Sequence, residues 1–349
     1  MSPILEPSYS ALAVAKQSVK GTPTTAPTKR LLQVGGDFGF SRDDGSEPYS
    51  DLTKYGGDTD WINSLTGEGE PALECTPTEL AYCLWLHHGA EVVTAVVGPP
   101  TAQKHTFTPS ATRGFWATAW RRVGQNVPQR HRMTDCMSTR FTIEGGTANK
   151  AVRLTQRWLA LDPFENLAAD PTWPAMPTDK TFLYTDGSGA FTIDSVVFTG
   201  QTQFTFTVDE DLSLVYGDDT VPFELVQGNP TAAISATILM DATALARWNF
   251  LVYGTTTPAG GAKPLRSLPA LGSYSAYMKQ RDAAGALNGR ELKITCPAVK
   301  WTIPPAPAPN PGGGPVEIAL AGALRPPGGV TPVYTIDVNT ANADVAFTT

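Results

Sequence analysis

Tyr55–Thr76 reads YGGDTDWINSLTGEGEPALECT, and Tyr216–Thr237, 161 positions further on, reads YGDDTVPFELVQGNPTAAISAT. The two align without a gap, with identities at Tyr55/Tyr216, Gly56/Gly217, Asp58/Asp219, Thr59/Thr220, Gly67/Gly228, Ala72/Ala233 and Thr76/Thr237. Seven matches in 22 positions exceed the roughly one or two that chance supplies, and self-similarity at a fixed offset marks a repeated unit. Two further blocks keep the same order. Glu79–Gly89 (ELAYCLWLHHG) faces Ala244–Gly254 (ALARWNFLVYG) at offset 165, and Cys136–Ile143 (CMSTRFTI) faces Cys296–Ile303 (CPAVKWTI) at offset 160. The spacing predicts one module copied end to end.

The bulk numbers agree with two packed modules. A chain of 349 residues holds two domains of about 140 residues each. With 41% hydrophobic and 17% charged residues it is a packed protein, not a disordered one. The 32 glycines and 30 prolines favour turns and strand ends over long helices. A net charge of −7 argues against gripping nucleic acid, which takes clustered Lys and Arg; DNA could still slide past. No apolar run suits a signal peptide, and none is long enough to span a membrane. Cys75, Cys83, Cys136 and Cys296 are expected as reduced, buried thiols of a protein made in the cytoplasm. Cys136 and Cys296, as equivalents, are expected in two separate cores.

Residues 1–29 read as an extended arm. The first β-module spans 30–163, a Pro-rich linker 164–181, the second β-module 182–328, and a C-terminal arm or strand 329–349. Leu32, Val34, Phe38 and Phe40 suggest a bulged strand. Residues 41–58 read as a long loop or hairpin tip. A short helix follows Pro77, with Thr78 as its cap and Gly89 as its stop; its copy starts at Asp241 or Thr243 and stops at Gly254. Alternation predicts strands at 105–109 and 114–123. It also predicts a hairpin from 136–144 and 151–161, recurring as 291–303 and 316–324. One strand is expected over 191–198 and another over 333–338. The loop PPAPAPNPGGGP (304–315) replaces the short turn of the first hairpin, and its prolines favour a stiff, extended excursion. The fold class expected is mainly β: two tandem antiparallel β-sandwich or barrel domains, each with one short flanking helix, plus arms at both ends.

Candidate chemistry is sparse. YTDGS (184–188) matches the opening strand of ribonuclease H, but metal-dependent hydrolysis needs more converging carboxylates than Glu224 and Asp241 supply. An Asp-Gly turn is the plainer reading. Asp209–Asp211 and Asp218–Asp219 lack EF-hand spacing. His87 and His88 are adjacent, not i and i+4, so helix-end histidines complementing the dipole fit better than a metal pair. No nucleophile elbow, P-loop or dinucleotide fingerprint occurs. We expect no catalytic residue, no cofactor, no metal and no enzyme activity.

In layout the sequence resembles the tail tube proteins of long-tailed bacteriophages, in a two-repeat form. The stretches carrying the resemblance are AKQSVKGTP (15–23), RFTIEGG and VRLTQRWLAL, VDEDLSLVYGDDTVPFELVQGNPTAAISATI, and VYTIDVNTAN. The likeness lies in their order and spacing, not in an invariant motif. It implies a structural virion protein whose copies join sheets into rings. The rings stack into a hollow tube for DNA ejection. Two repeats per chain imply a homotrimer with pseudo-sixfold symmetry in preference to a hexamer. The partners implied are further copies, tape-measure, terminator and distal tail proteins, and DNA that passes without specific binding. Assembly would occur in the host cytoplasm. Under this reading Asp58, Asp60, Asp209 and Asp211 are candidate lumen-facing acids. Arg42, Asp43, Asp44 and Tyr49 are candidate ring-stacking contacts. The alternatives are another tail or baseplate ring protein, or a carbohydrate-binding or adhesin sandwich using Trp116, Trp120, Trp158 and Trp173.

Overall fold

The computed structural model describes residues 10–48, 57–97, 102–110, 113–124, 128–147, 151–184, 191–266, 271–282, 286–302, 307, 315–341 and 346–347. At 40, 45–48, 57–61 and 163–164 only the backbone is described. The first half carries β1 (Ala11–Lys16), β2 (Lys29–Leu31), β3 (Gln33–Gly35), β4 (Phe38–Pro48), β5 (Gly57–Gly69), β6 (Ala72–Glu74), α1 (Pro77–His88), β7 (Val92–Val96), β8 (Ala102–Phe107), β9 (Ala117–Val123), β10 (Gln129–Gly146) and β11 (Arg153–Asn166). The second carries β12 (Thr192–Ile193), β13 (Val196–Val197), β14 (Gln201–Asp209), β15 (Leu212–Val215), β16 (Glu224–Gln227), β17 (Thr231–Leu239), α2 (Ala242–Tyr253), β18 (Gly272–Arg281), β19 (Leu287–Trp301), β20 (Glu317–Leu324) and β21 (Thr335–Ala341). The chain is thus mainly β. All strands but β15 and β16 belong to one continuous hydrogen-bonded system that curls, barrel-like, round a common core.

The two helices follow the same rules at the same offset. Each has 12 residues, and their starts at 77 and 242 lie 165 positions apart. Each stops at a left-handed glycine, Gly89 (φ 71°) or Gly254 (φ 76°). The glycine N–H donates to the Trp85 or Phe250 carbonyl at 3.0 or 2.9 Å, which closes the last turn without the strain a Cβ would meet. The starts differ. Asp241 caps α2 by accepting from the Ala244 N–H at 2.7 Å. In α1 the cap is Thr76, not Thr78: the Thr76 hydroxyl donates to Glu79 Oε2 at 2.9 Å, and that of Thr78 to Asp179 at 3.2 Å. Every α1 residue except Thr78 is buried, whereas α2 buries only Ala244, Arg247, Leu251 and Val252.

Several expectations need correction. Residues 11–16 are no arm. They form an inner strand with Leu12, Ala13, Val14 and Ala15 buried, paired to β2 on one side and β9 on the other. The run ALAVA is apolar on both faces, as a strand covered on both sides must be. Much of 41–58 is strand, since β4 and β5 pair from Phe38↔Gly69 to Pro48↔Gly57. The span 191–198 is not one strand but the β12–β13 hairpin, turned by Asp194 (φ 52°) and Ser195 (φ 64°), a two-residue left-handed turn. The C-terminal strand β21 lies between β19 and β8 of the same chain. The core is shared: one cluster runs from Leu12 to Val338 and contains both Cys136 and Cys296. All four cysteines are buried free thiols.

Two ladders weld the halves. One is β8–β21, from Ile336↔Phe107 to Ala341↔Ala102. The other is β10–β14, from Arg140↔Asp209 to Gly146↔Gln203. Through the second, eight strand tracks lie side by side: β3 continued by β4, β6 continued by β5, then β11, β10, β14, β17, β20 and β19.

Candidate functional site

Along the rows that cross the seam between the halves, the face of this eight-track sheet that points away from the core carries small and charged side chains; elsewhere Met137, Leu159 and Leu161 are covered by Leu212 and Leu225 of the β15–β16 hairpin. Alternation places Phe141, Ile143, Leu154, Phe204, Phe206, Ile234 and Leu320 in the core and their neighbours outside. Following partners across the ladders gives one row: Gly35, Ala72, Thr155, Thr142, Thr207, Ala233, Ala323, Lys300. At the seam between the halves the Thr142 and Thr207 hydroxyls are 3.0 Å apart. The next row reads Glu74, Arg153, Glu144, Thr205, Ser235, Ala321. No aromatic side chain occurs in either row. A shallow depression of 240 Å³ lies among Thr205, Thr207, Ser235 and Ala321.

The charges on this face offset one another locally and leave it acidic. Arg140 bonds Glu70 and lies 4.0 Å from Asp209, and Arg157 lies 3.5 Å from Glu68. Such exposed pairs contribute about 0–1 kcal/mol each, so their effect is on the field and not on the fold. Glu68, Glu70, Glu74, Glu144, Asp209 and Glu317 share the face with Arg140, Arg153, Arg157 and Lys300.

The predicted residues are only partly brought together. Asp209 lies in the Arg140 row on this face, between Arg140 and Thr231. Asp211 does not lie in a row; it turns the chain at φ 50° and accepts from the Asn229 N–H at 2.9 Å. Asp58 and Asp60 fall on β5 beyond its pairing with β11, in a two-stranded extension with β4; their side chains are outside the described residues. Arg42, Asp43 and Asp44 lie on β4 in that extension. Arg42 pairs with Asp44 at 2.7 Å, and Asn63 donates to Asp43 at 3.1 Å. Tyr49 lies outside the described residues. The extension touches the β15–β16 hairpin, where the Thr66 and Tyr216 hydroxyls meet at 2.8 Å.

Sequence reasoning missed the threonines. Their signal is in the chain: QTQFTFTVD and TAAISATIL keep small or polar residues at every second place.

The histidines serve the interior. His87 Nδ1 is 3.0 Å from the Ser138 hydroxyl, and His88 Nε2 is 3.0 Å from the Tyr334 hydroxyl. Burial, reinforced by His87, lowers the His88 pKa to about 3, so His88 is neutral and does not offset the helix dipole as a cation. His87 Nε2 lies 3.6 Å from Glu210. Ser138 is 1% exposed and also accepts from Gln156 Nε2 at 3.3 Å, so this serine–histidine contact has no substrate access. Among the described residues no group of three or more His, Cys, Asp or Glu side chains is placed to hold a metal. No described helix is long and apolar enough to cross a membrane. Trp120 and Trp158 are buried, Trp116 packs on the cluster of Met137, Leu159 and Leu225, and Trp173 faces Arg30. They form no exposed platform for sugar stacking.

No protein-family model matches the chain, and no curated protein matches it.

Proposed function

We propose that this protein is a ring-forming structural subunit of a phage tail tube, two β-modules per chain. The carrying observation is the β10–β14 ladder, seven paired positions from Arg140↔Asp209 to Gly146↔Gln203. It joins the last track of the first quartet (β3/β4, β6/β5, β11, β10) to the first track of the second (β14, β17, β20, β19). The offset of 160 maps Cys136–Phe141 of β10 onto Cys296–Trp301 of β19. The end of β19 at Lys300–Trp301 therefore corresponds to Arg140–Phe141, where the β10 edge begins to take β14. The counterpart of β14 is the β3/β4 track. A second copy offering that track extends the sheet just as the second half extends the first. Such head-to-tail contacts are heterologous and form a ring where the rotation per copy closes, and closure removes the exposed sheet edges.

Ring size follows from strand spacing. Three copies of eight tracks give 24 strands, and at about 4.8 Å apart these make a cylinder about 37 Å across between opposite backbones before tilt. That admits a DNA duplex with side chains in place. The small-residue face lines the bore. Its surplus of carboxylates repels phosphate, so DNA passes without adhering. The β4–β5 extension, together with the β15–β16 hairpin that packs Leu212 and Leu225 on Met137, Leu159 and Leu161, supplies the stacking contacts. On this reading the protein resides in the virion tail, beside tape-measure, terminator and distal tail proteins.

Negative-stain micrographs of concentrated protein, with native mass spectrometry, test the proposal. Three-chain rings with six lobes, stacking into tubes, are the expected result. A lasting monomer overturns the reading, and six chains per ring overturn the stoichiometry.

A further inference from the structure

We propose that the aromatic cleft between α1 and β8 is a peptide-binding site, which this chain's residues 346–347 fill as a removable strap and which the same segment of a second copy fills when the strap leaves. The site stands whether or not the copies form rings. Phe347 sits among three rings, its centroid 5.4 Å from Tyr82, 5.7 Å from Trp85 and 4.9 Å from His105. The His105 ring stacks on it at 26°, and Tyr82 meets it edge-on at 82°, both favoured aromatic geometries. The Phe347 N–H donates to Glu91 Oε1 at 2.7 Å.

The walls of the cleft are fixed by contacts that do not involve the strap. Glu91 Oε2 is 2.6 Å from His105 Nδ1, and His105 Nε2 is 3.1 Å from the Thr340 hydroxyl. The Tyr82 hydroxyl lies 2.9 Å from that of Thr28 and accepts from the Lys16 N–H at 3.3 Å. Trp85 packs on Phe115 at 4.8 Å, with the Lys16 ammonium over both rings. Preformed walls spare a ligand the cost of ordering them. The Glu91 side chain is 5% exposed and that of His105 fully buried. When the strap withdraws, Glu91 Oε1 loses its amide donor, and an acceptor left unpaired beside aromatic rings is costly. A second peptide N–H next to an aromatic ring restores both contacts.

The strap is held less firmly than the strand before it. Ile336 and Val338 of β21 are fully buried and paired on both sides, to β19 and to β8. The strap lies beyond the Ala341↔Ala102 end of that ladder, with Ala346 exposed and Phe347 half-buried. Such a segment opens at lower free energy than the core. Identical chains carry identical straps, so exchange between copies rebuilds the same contacts. The second half offers no equivalent: Arg247 and Phe250 stand where offset 165 places Tyr82 and Trp85, and no described strand lies between α2 and β18. One site per chain follows.

Phe347→Ala in the full chain empties the site, and the probe is a fluorescein-labelled peptide of residues 342–349, NADVAFTT. By fluorescence polarisation the variant should bind one peptide per chain. It should bind at least tenfold more tightly than the unmodified chain, whose tethered strap competes at an effective concentration in about the millimolar range. The Phe347→Ala peptide should bind the variant at least tenfold more weakly. No binding by the variant, equal binding by variant and unmodified chain, or equal binding of the two peptides each overturns the proposal. Should the variant misfold, hydrogen exchange of the unmodified chain decides: the Phe347 amide should be protected, yet exchange at least about 100-fold faster than those of Ile336 and Val338. Protection equal to theirs, or none, overturns the proposal.

Discussion

Phe141 on β10 and Phe206 on β14 lie with ring centroids 6.0 Å apart beneath the ladder that joins the two halves, and both side chains are fully buried. Tyr334, 5.4 Å from Phe206, brings the C-terminal region to the same point. The halves therefore share their packing where they share their sheet. Phe206→Ala leaves a cavity there and should cost about 3–5 kcal/mol. Because one core runs through both halves, calorimetry should show a single transition moving down in temperature. Two separable transitions, only one of them shifted, would contradict a common core.

His88 makes stability depend on pH. Its folded pKa, about 3 through burial and the neighbouring His87, lies below the ordinary value near 6.5. The unfolded chain binds the proton first, so the stability is present above about pH 6.5 and is lost as pH falls toward 3. At full extent the loss is on the order of 5 kcal/mol. Urea midpoints should drop between pH 7 and pH 4, and His88→Gln should flatten that slope while lowering stability at pH 7.

Glu79 works in the opposite sense. Burial raises its carboxyl to about 7, against the partial relief of the Thr76 hydroxyl. The folded state keeps a proton that the unfolded chain has released, so stability is fully present below about pH 4.5 and declines as pH rises through 7. Glu79→Gln removes that penalty. It should raise stability by up to about 3 kcal/mol at pH 8 and change little at pH 4. Denaturant titrations at the two pH values measure the difference, and equal effects at both would show that Glu79 does not titrate in this range.

Part of this arrangement is readable from the chain and part is not. The offset of 165 places both helices and both stopping glycines, because a left-handed cap demands glycine wherever the module occurs. Alternation finds β20 and the Arg140–Glu144 part of β10, where only one face is covered. It misses β1, whose ALAVA is buried on both faces. It also misses the strand character of 41–48, where both strands of the hairpin are wet and no periodicity survives. The identity Ala72/Ala233 marks a real position, since both residues are second in their quartet within one row. That the row forms a continuous small-residue face depends on which strands become neighbours, and no local pattern carries that. The acidic pair divides for the same reason: Asp209 and Asp211 are two apart, yet Asp209 lies in a row between Arg140 and Thr231 and Asp211 turns the chain.

The outward threonines give the most direct test of the proposed bore. Thr205 and Ser235 are paired neighbours on the face, and neither belongs to the core, so Thr205→Lys with Ser235→Lys should change stability by less than about 1 kcal/mol. The pair adds two positive charges per chain, hence six per ring if the ring is a trimer. Tubes of the variant should retain duplex DNA in co-sedimentation at about 50 mM salt and release it at about 200 mM, since phosphate contacts weaken steeply with ionic strength. Tubes of the unmodified protein should retain none at either salt. Equal retention by both would mean that this face does not line the passage, and the same two lysines on a face turned outward would show it by binding DNA to the tube exterior in micrographs.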